Sequence, residues 1–235
     1  MRIDKFLSEM GKATRKQSAL LAKNGKILVN GVVVKKADMH INPESDEITL
    51  CGEKITYKKF TYIMLNKPDG VVSATEDTHE KTVLDLLPEE ERRKGLFPCG
   101  RLDKSTLGLV ILTNDGDSAH KRLSPKHHVS KIYNFKSKNP ISENERECLE
   151  DGIDIGGYTT KPCRVALNDD FASGQITLTE GKYHQIKRML EAIDNKITYL
   201  ERVSFGGITL DTALARGEWR YLTSEEEKMF TGEGL

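Results

Sequence analysis

The stretch from residue 100 to residue 116 constrains the fold of this chain more than any other. It begins with a polar turn that carries Arg101 and Asp103, continues into the apolar run 107–112 and closes on an Asn-Asp-Gly turn. An apolar run this short, bounded by turn residues on both sides, predicts a buried central strand rather than a helix. Asp103 then lies on a tight loop at the mouth of a rigid strand. Most loop aspartates only stabilise a turn, but a carboxylate held in this way can also perform positioned chemistry.

Charge is distributed unevenly along the chain. The 235 residues include 36 basic and 36 acidic side chains, so the formal net charge is zero. Residues 1–36 nevertheless hold nine Lys or Arg and only two acidic residues. A basic N-terminal module of this kind indicates a polyanionic partner.

Two short helices are predicted in the basic module. Apolar residues recur at helical spacing within residues 2–10. Thr14 followed by Gln17 is a capping-box pattern, which predicts the start of a second helix. Its apolar face is assigned to Ala19, Leu20 and Ala22.

A small sheet is predicted after these helices. The Asn-Gly pair at residues 30–31 separates two β-branched runs, a strong indication of a hairpin. The module is expected to span residues 1–59, and a second domain is expected to span residues 60–235.

The second domain contains more predicted strands than helices. The predicted strands are 61–65, 71–72, 107–112, 131–135, 164–167, 175–179, 197–205, 208–210 and 217–222. The predicted helices are 82–87, 117–123, 142–150, 186–193 and a final one capped by Ser224. Because strict β–α–β alternation is absent, an α+β fold with a mixed, largely antiparallel sheet is predicted.

Two further features are candidate parts of a site. Lys187 and Arg188 flank the apolar stripe of the helix predicted at 186–193, and a positive helix start attracts a carboxylate or a phosphate. Ordinary surface cations are the equally weighted alternative. Tyr133 lies in a predicted strand, where core packing with a satisfied hydroxyl is the simpler interpretation.

Several classes of chemistry find no support in the sequence. It has no P-loop or dinucleotide-binding glycine motif, no His-Glu-x-x-His and no nucleophile-elbow serine, so neither cofactor nor metal is predicted. The four cysteines are far apart, which argues against zinc and disulfides and for a reduced, cytoplasmic location with buried thiols. No apolar run approaches membrane-spanning length, and nothing near Met1 resembles a signal peptide.

The N-terminal module resembles the S4-type RNA-binding domain. The likeness rests on residues 2–7, 14–19 and 27–34. It implies that RNA is contacted by basic helix residues, namely Lys5, Arg15, Lys16 and Lys23. The alternative is a solvated basic face that keeps the protein in solution.

The second domain resembles the pseudouridine synthases. The likeness rests on Leu-Asn-Lys-Pro-x-Gly (65–70), Gly-Arg-Leu-Asp-x-x-Thr-x-Gly-Leu (100–109), Lys-x-Tyr (131–133), the segment 180–189 and Leu-x-Arg (200–202). An S4 domain in front of such a domain is the arrangement of bacterial ribosomal RNA members. Residues 124–128, 160–163 and 205–211 resemble the members that modify uridine 516 of small-subunit (16S) RNA. A large-subunit (23S) enzyme is the alternative.

The resemblance implies a reaction in which a uridine is flipped out, cut from its ribose, rotated and rejoined through carbon. Asp103 would be the nucleophile, or the base that triggers glycal formation. Lys187 would be its cationic partner, although related synthases usually have arginine there, and Arg188 is the second choice.

The remaining site residues follow from the same resemblance. Tyr133 would stack on the flipped base, with Leu200 packed beneath it, and Arg101 would fill the vacated stack or hold a neighbouring phosphate. The expected partner is ribosomal RNA, free or in an assembling small-subunit particle, bound by a monomer. A non-catalytic RNA-binding assembly factor is the alternative from a different functional class.

Overall fold

The computed structural model describes residues 1–92, 95–124 and 127–232. They form two compact units. One comprises Met1–Thr61 with Leu87–Leu96, and the other comprises Tyr62–Leu86 with Phe97–Leu235. None of the described helices is long and apolar enough to cross a membrane.

The first unit consists of two helices and a four-stranded antiparallel sheet. Its elements are α1 (Ile3–Glu9), α2 (Arg15–Lys23), β1 (Ile27–Val29), β2 (Val32–Val33), β3 (Ile48–Leu50) and β4 (Glu53–Ile55). The strand order is β2-β1-β3-β4. The predicted hairpin is confirmed, with Val29 opposite Val32 across the turn. Ile3, Phe6 and Leu7 of α1 are fully buried in the core, as their helical spacing predicts.

Helix α2 begins at the predicted capping box but buries a different face. Thr14 N donates to Gln17 Oε1 at 2.8 Å and Gln17 N donates to Thr14 Oγ1 at 3.2 Å, which confirms the cap. The predicted apolar face is wrong in part, because Ala19 is exposed and Leu20 is 61% exposed. Ser18 is buried instead, since its hydroxyl donates to the Thr14 carbonyl oxygen at 2.9 Å and so brings no unpaired polar group inside.

The second unit is built on a nine-stranded sheet. Its strands are β5 (Tyr62–Lys67), β6 (Phe97–Cys99), β7 (Leu107–Thr113), β8 (Lys131–Ser137), β9 (Arg164–Leu167), β10 (Ser173–Leu178), β11 (Ile197–Phe205), β12 (Ile208–Thr209) and β13 (Trp219–Tyr221). The order is β13-β5-β7-β11-β8-β10-β9, with β12 on β11 and β6 on β7. Among the described strands only β7 and β11 pair in parallel, so the prediction of a mixed, largely antiparallel sheet is confirmed.

Strand β7 is the predicted central strand. Its residues Leu109 to Leu112 are fully buried between neighbouring strands. Gly108 has φ 96°, and a Cβ there would lie 2.3 Å from the Arg202 carbonyl oxygen of β11. Only glycine therefore permits this approach of β7 to β11, which places the loop before β7 beside the middle of β11.

Four helices accompany the sheet. They are α3 (Gly116–Leu123), α4 (Glu143–Asp151), α5 (Gln185–Glu191) and α6 (Ser224–Thr231). The cap of α6 is Thr223 rather than Ser224, because the Thr223 hydroxyl accepts from Glu226 N at 3.3 Å.

Two local predictions are wrong. The helix expected at 82–87 is only a 3₁₀ turn at Leu84–Leu86, since the Asp85 carboxylate accepts from Thr82 N and ties a tight local turn. The strand expected at 71–72 is a single β-bridge. Strand β6 was not predicted; it contains Pro98, and among the described residues it pairs only with β7.

The cysteines also differ from expectation. Cys99 is buried and Cys163 is half-buried, but Cys51 and Cys148 are exposed. Desolvation raises the pKa of the Cys99 and Cys163 thiols to about 12, so these two thiols stay protonated at neutral pH.

Candidate active site

Asp103 lies on the loop between β6 and β7, and this loop is fixed on both sides of it. Before it, Leu102 N donates to Ser73 Oγ at 3.1 Å, and the Ser73 hydroxyl donates to the Leu102 carbonyl oxygen at 3.0 Å. After it, Thr106 N donates to the Asp103 carbonyl oxygen at 3.0 Å. The Asp103 side chain remains 28% exposed. The backbone is therefore rigid while the carboxylate is accessible from solvent.

Lys67 supports this loop from below. Its side chain is completely buried at the end of β5. The ammonium donates to the carbonyl oxygens of Pro68, Lys104 and Thr106 at 2.9, 2.8 and 2.9 Å. Desolvation lowers the pKa of Lys67 to about 8, against the attraction of Asp69 and Asp103. This lysine joins β5 to the residues that follow Asp103.

Each oxygen of the Asp103 carboxylate faces a nitrogen from the start of α5. Lys187 Nζ lies 3.3 Å from Oδ2, and His184 Nε2 lies 3.5 Å from Oδ1. Lys187 also donates to Ser105 Oγ at 3.0 Å, so it contacts the loop at two points. A carboxylate between these groups is oriented, and the positive charge of Lys187 faces it directly.

His184 was not predicted from the sequence. It is the residue before α5 and has φ 50°, in the left-handed region that bulky residues adopt only at a cost. This backbone conformation lets the imidazole reach Asp103. The only sequence signal was its place within the segment 180–189.

A polar network holds the loop that leads into α5. Glu180 is 9% exposed, and its carboxylate accepts from Tyr158 OH at 2.7 Å, Lys161 N at 3.0 Å and Gln185 Nε2 at 2.9 Å. Burial acts to raise the pKa of Glu180, but these hydrogen bonds outweigh it and hold the pKa below its usual range. The network fixes the residues that carry His184 and Lys187, and it too was not predicted.

The residues assigned from the resemblance meet in one cleft. Its lining includes Arg101, Asp103, Tyr133, Lys187 and Leu200. Tyr133 and Leu200 are 9% and 7% exposed, from β8 and β11, whereas Arg101 is exposed. Space in the cleft, open solvent included, amounts to about 490 Å³.

Arg188 points away from Asp103. Its guanidinium donates to the Ile155 carbonyl oxygen and lies 3.5 Å from the carbonyl oxygens of Gly156 and Tyr183. The structure therefore pairs Asp103 with Lys187, and Arg188 does not occupy the position of a second partner.

The four predicted RNA-contacting cations belong to the first unit. Lys5, Arg15, Lys16 and Lys23 are all exposed. Lys16 and Lys23 are seven residues apart on α2 and share one side of the helix. Lys5 lies 3.6 Å from Glu9, a loose exposed pair that leaves the lysine free to contact an anion.

One predicted contact segment is described only in part. Residues 125 and 126 of the segment 124–128 lie outside the described residues, while His127 and His128 are exposed. Within the described parts of the chain, no group of three His, Cys, Asp or Glu could hold a metal ion.

Comparison with known proteins identifies the family. A model described as RNA pseudouridylate synthase matches residues 61–192, and a model of the S4 domain matches residues 1–48. The chain therefore belongs to the RNA pseudouridylate synthase family, whose members are isomerases, and it has an N-terminal S4 domain.

Individual relatives match nearly the whole chain. The RNA pseudouridine synthase YtzG of Bacillus subtilis (strain 168) is 46% identical over 230 residues, 96% of each chain. The ribosomal small subunit pseudouridine synthase A of Haemophilus influenzae is 39% identical, covering 97% of this chain and 99% of its own. The Vibrio cholerae protein of the same name is 40% identical, covering 96% and 97%. A crystal structure of a pseudouridylate synthase superposes with a TM-score of 0.68 at 36% identity, covering 98% of this chain and 99% of that chain.

Proposed function

We propose that this chain isomerises uridine to pseudouridine in ribosomal RNA and that its target is uridine 516 of the 16S RNA. The small-subunit names of the Haemophilus and Vibrio relatives, at 39% and 40% identity, support the choice of substrate. The observation that carries the activity is the cleft in which the Asp103 carboxylate faces Lys187 beside Tyr133 and Leu200.

The reaction balances without a redox step or an external group. The bond between ribose C1′ and uracil N1 breaks, the base rotates, a bond from C1′ to C5 forms, and one proton moves from C5 to N1. Asp103 either attacks the sugar as a nucleophile or removes a sugar proton to give a glycal. Both routes use the Asp103 carboxylate beside polyanionic RNA, and Lys187 supplies the positive charge that faces it at 3.3 Å.

The other cleft residues bind the flipped nucleotide. Tyr133 is nearly buried, so its ring offers a fixed surface for a uracil, and Leu200 closes the pocket beside it. Arg101 is exposed and can fill the vacated stack or hold a phosphate. Because one chain supplies all these residues, we propose that a monomer acts, in the cytoplasm, on free or assembling small-subunit RNA.

A modification map of ribosomal RNA from a strain that lacks this protein tests the proposal. We expect one pseudouridine to disappear, at position 516 of the 16S RNA, and to return with the wild-type gene. Loss at a position of the 23S RNA would favour a large-subunit target instead. An unchanged map would refute the proposed activity.

The S4 domain is expected to supply much of the electrostatic RNA affinity. Changing Lys5, Arg15, Lys16 and Lys23 together to Gln should weaken RNA binding and flatten its dependence on salt. Each lost phosphate contact reduces the slope of log affinity against log salt by about 0.7. Fluorescence anisotropy with a labelled 16S fragment at several salt concentrations measures this slope.

Lys54 of the same domain provides the control. Its ammonium already pairs with Glu47 at 2.5 Å, so Lys54→Gln should leave the slope unchanged. An unchanged slope in the fourfold variant would show that its four cations form only a solvated face.

Lys187 is expected to matter through its charge on Asp103. Lys187→Met should lower the turnover rate by about 10²-fold, the usual cost of removing one electrostatic contact in an active site. Lys187→Arg should keep most of the activity, since it retains the charge. Arg188→Met tests whether Lys187 or Arg188 is the cationic partner of Asp103. If Arg188→Met lowered the turnover rate more than Lys187→Met at equal thermal stability, Arg188 would be the partner.

A further inference from the structure

Tyr183 presents a bare aromatic face at the rim of the cleft. Its side chain is 76% exposed, and its ring stacks on the His184 imidazole with centroids 3.8 Å apart and planes 18° apart. The Nε2 atom of the same imidazole lies 3.5 Å from Asp103 Oδ1. One face of the tyrosine ring is therefore covered by the imidazole, and the opposite face is open to solvent.

The ring is held in place although it is exposed. The turn that carries it is closed by Gln185, whose side-chain oxygen accepts from Lys182 N at 2.9 Å and whose N–H donates to the Lys182 carbonyl oxygen at 3.1 Å. His184 beneath it has the left-handed backbone described above. An exposed aromatic ring fixed before its ligand arrives loses little conformational freedom on binding.

The location of Tyr183 indicates what would cover it. Lys182 and His184 line the cleft, whereas Tyr183 lies just outside that lining. Cations lie along the same cleft: Arg101 and Lys182 line it, with the Lys182 ammonium 4.1 Å from the Tyr158 ring centroid, and the guanidinium of Arg188 lies 3.5 Å from the Tyr183 carbonyl oxygen. Aromatic rings among cations are the usual means of holding unpaired nucleic acid bases over a charged backbone track.

We propose that the open face of Tyr183 stacks on a nucleobase of the substrate RNA that neighbours the flipped uridine. The inference rests on the proposed function for RNA as the substrate. In this proposal Tyr183 binds the flanking nucleotide, and the His184 imidazole supports the Tyr183 ring. Because His184 also contacts Asp103, it links the position of the RNA strand to the position of the carboxylate. When the target base is flipped out, one face of the neighbouring base is exposed, and an aromatic ring can stack on that face.

Binding of a labelled RNA tests the proposal without relying on turnover. The full-length chain carrying Asp103→Asn is titrated by anisotropy into a 16S fragment that spans uridine 516 and into a scrambled RNA of equal length. Adding Tyr183→Ala should weaken binding by about 10-fold, the usual effect of removing one base-stacking ring. Tyr183→Phe should keep the affinity, because the ring and not the hydroxyl makes the contact.

Abasic residues identify the partner base. Removing the base on one side of the target should weaken binding and abolish the effect of Tyr183→Ala there, since the two changes delete the same contact. Phe171 is the matched control, an aromatic residue 56% exposed with φ 50° that does not line the cleft, and Phe171→Ala should have no effect.

The outcomes separate this inference from the proposed function. Equal affinity of the Tyr183→Ala and unaltered chains for both RNAs would overturn the stacking role and leave a protein partner as the occupant of this ring. An effect that persists on every abasic RNA would also overturn it. Equal binding of the target and scrambled RNAs would count against the 16S substrate alone. The loss in Tyr183→Ala is still expected there, because base stacking tolerates any sequence.

Discussion

Replacing Asp103 with Asn is expected to lower the rate of pseudouridine formation by roughly 10³-fold or more while RNA affinity is kept. The amide has the size and shape of the carboxylate, but it is neither a nucleophile nor a base under these conditions. It also removes the charge that Lys187 faces at 3.3 Å. Phosphate contacts dominate RNA affinity and are made elsewhere, so binding should change little.

The measurement uses the purified full-length chain and the 16S fragment. Pseudouridine mapping measures the conversion of uridine, and anisotropy measures RNA binding. Asp170→Asn is the matched control. Asp170 caps a distant exposed turn by accepting from Ala172 N and Ser173 N, and asparagine can retain this turn, so activity should be unaffected. Full activity in Asp103→Asn would sink the catalytic assignment of Asp103, whereas no conversion by the wild-type chain would favour the non-catalytic assembly factor.

The parts of the fold that were predictable depend on local pattern. The apolar run 107–112 between turn signals identified β7 because periodicity and length are properties of adjacent residues. The capping box at Thr14 was equally local, and it is present. The pattern failed on the buried face of α2. Ser18 and not Leu20 is buried there, and its hydroxyl donates to the Thr14 carbonyl oxygen.

The site shows the same division. The resemblance gave Asp103, Tyr133, Lys187 and Leu200, which the structure brings into one cleft. His184 was missed because its contact with Asp103 depends on a left-handed backbone that non-glycine residues seldom adopt.

Lys67 was named only within the segment 65–70 that carries the resemblance, and a lysine is rarely expected to be fully buried. Three carbonyl oxygens from two distant segments make that burial possible, and no local pattern predicts their meeting.

Lys67→Met is expected to damage both stability and activity. Three carbonyl oxygens would lose their donor, and the hydrogen bond to the Thr106 carbonyl oxygen is fully buried. An unpaired buried acceptor costs about 1–3 kcal/mol, offset in part because a buried charge is also removed, so a net loss of about 2 kcal/mol is expected. The residues after Asp103 would be loosened, and a carboxylate misplaced by about 1 Å can lose 10²-fold in rate. Lys104→Met is the control from the same loop. Its exposed ammonium pairs with Glu80 on the surface, so it should cost less than about 1 kcal/mol.

The pH dependence of this difference in stability isolates Lys67. Burial lowers its pKa from 10.5 to about 8, so between these pH values the folded chain has released a proton that the unfolded chain still holds. Stability from this group therefore rises with pH across that window, by at most about 1.4 kcal/mol per pH unit, and is flat below it.

Denaturant unfolding of the wild-type and Lys67→Met chains from pH 7 to pH 10 measures the difference between their free energies of unfolding. Contributions from the other titrating groups are common to both chains and cancel in this difference. The advantage of the wild type should grow above pH 8. A constant or shrinking advantage would mean that the ammonium retains its proton in the folded chain, held by the three carbonyl oxygens more strongly than burial opposes it.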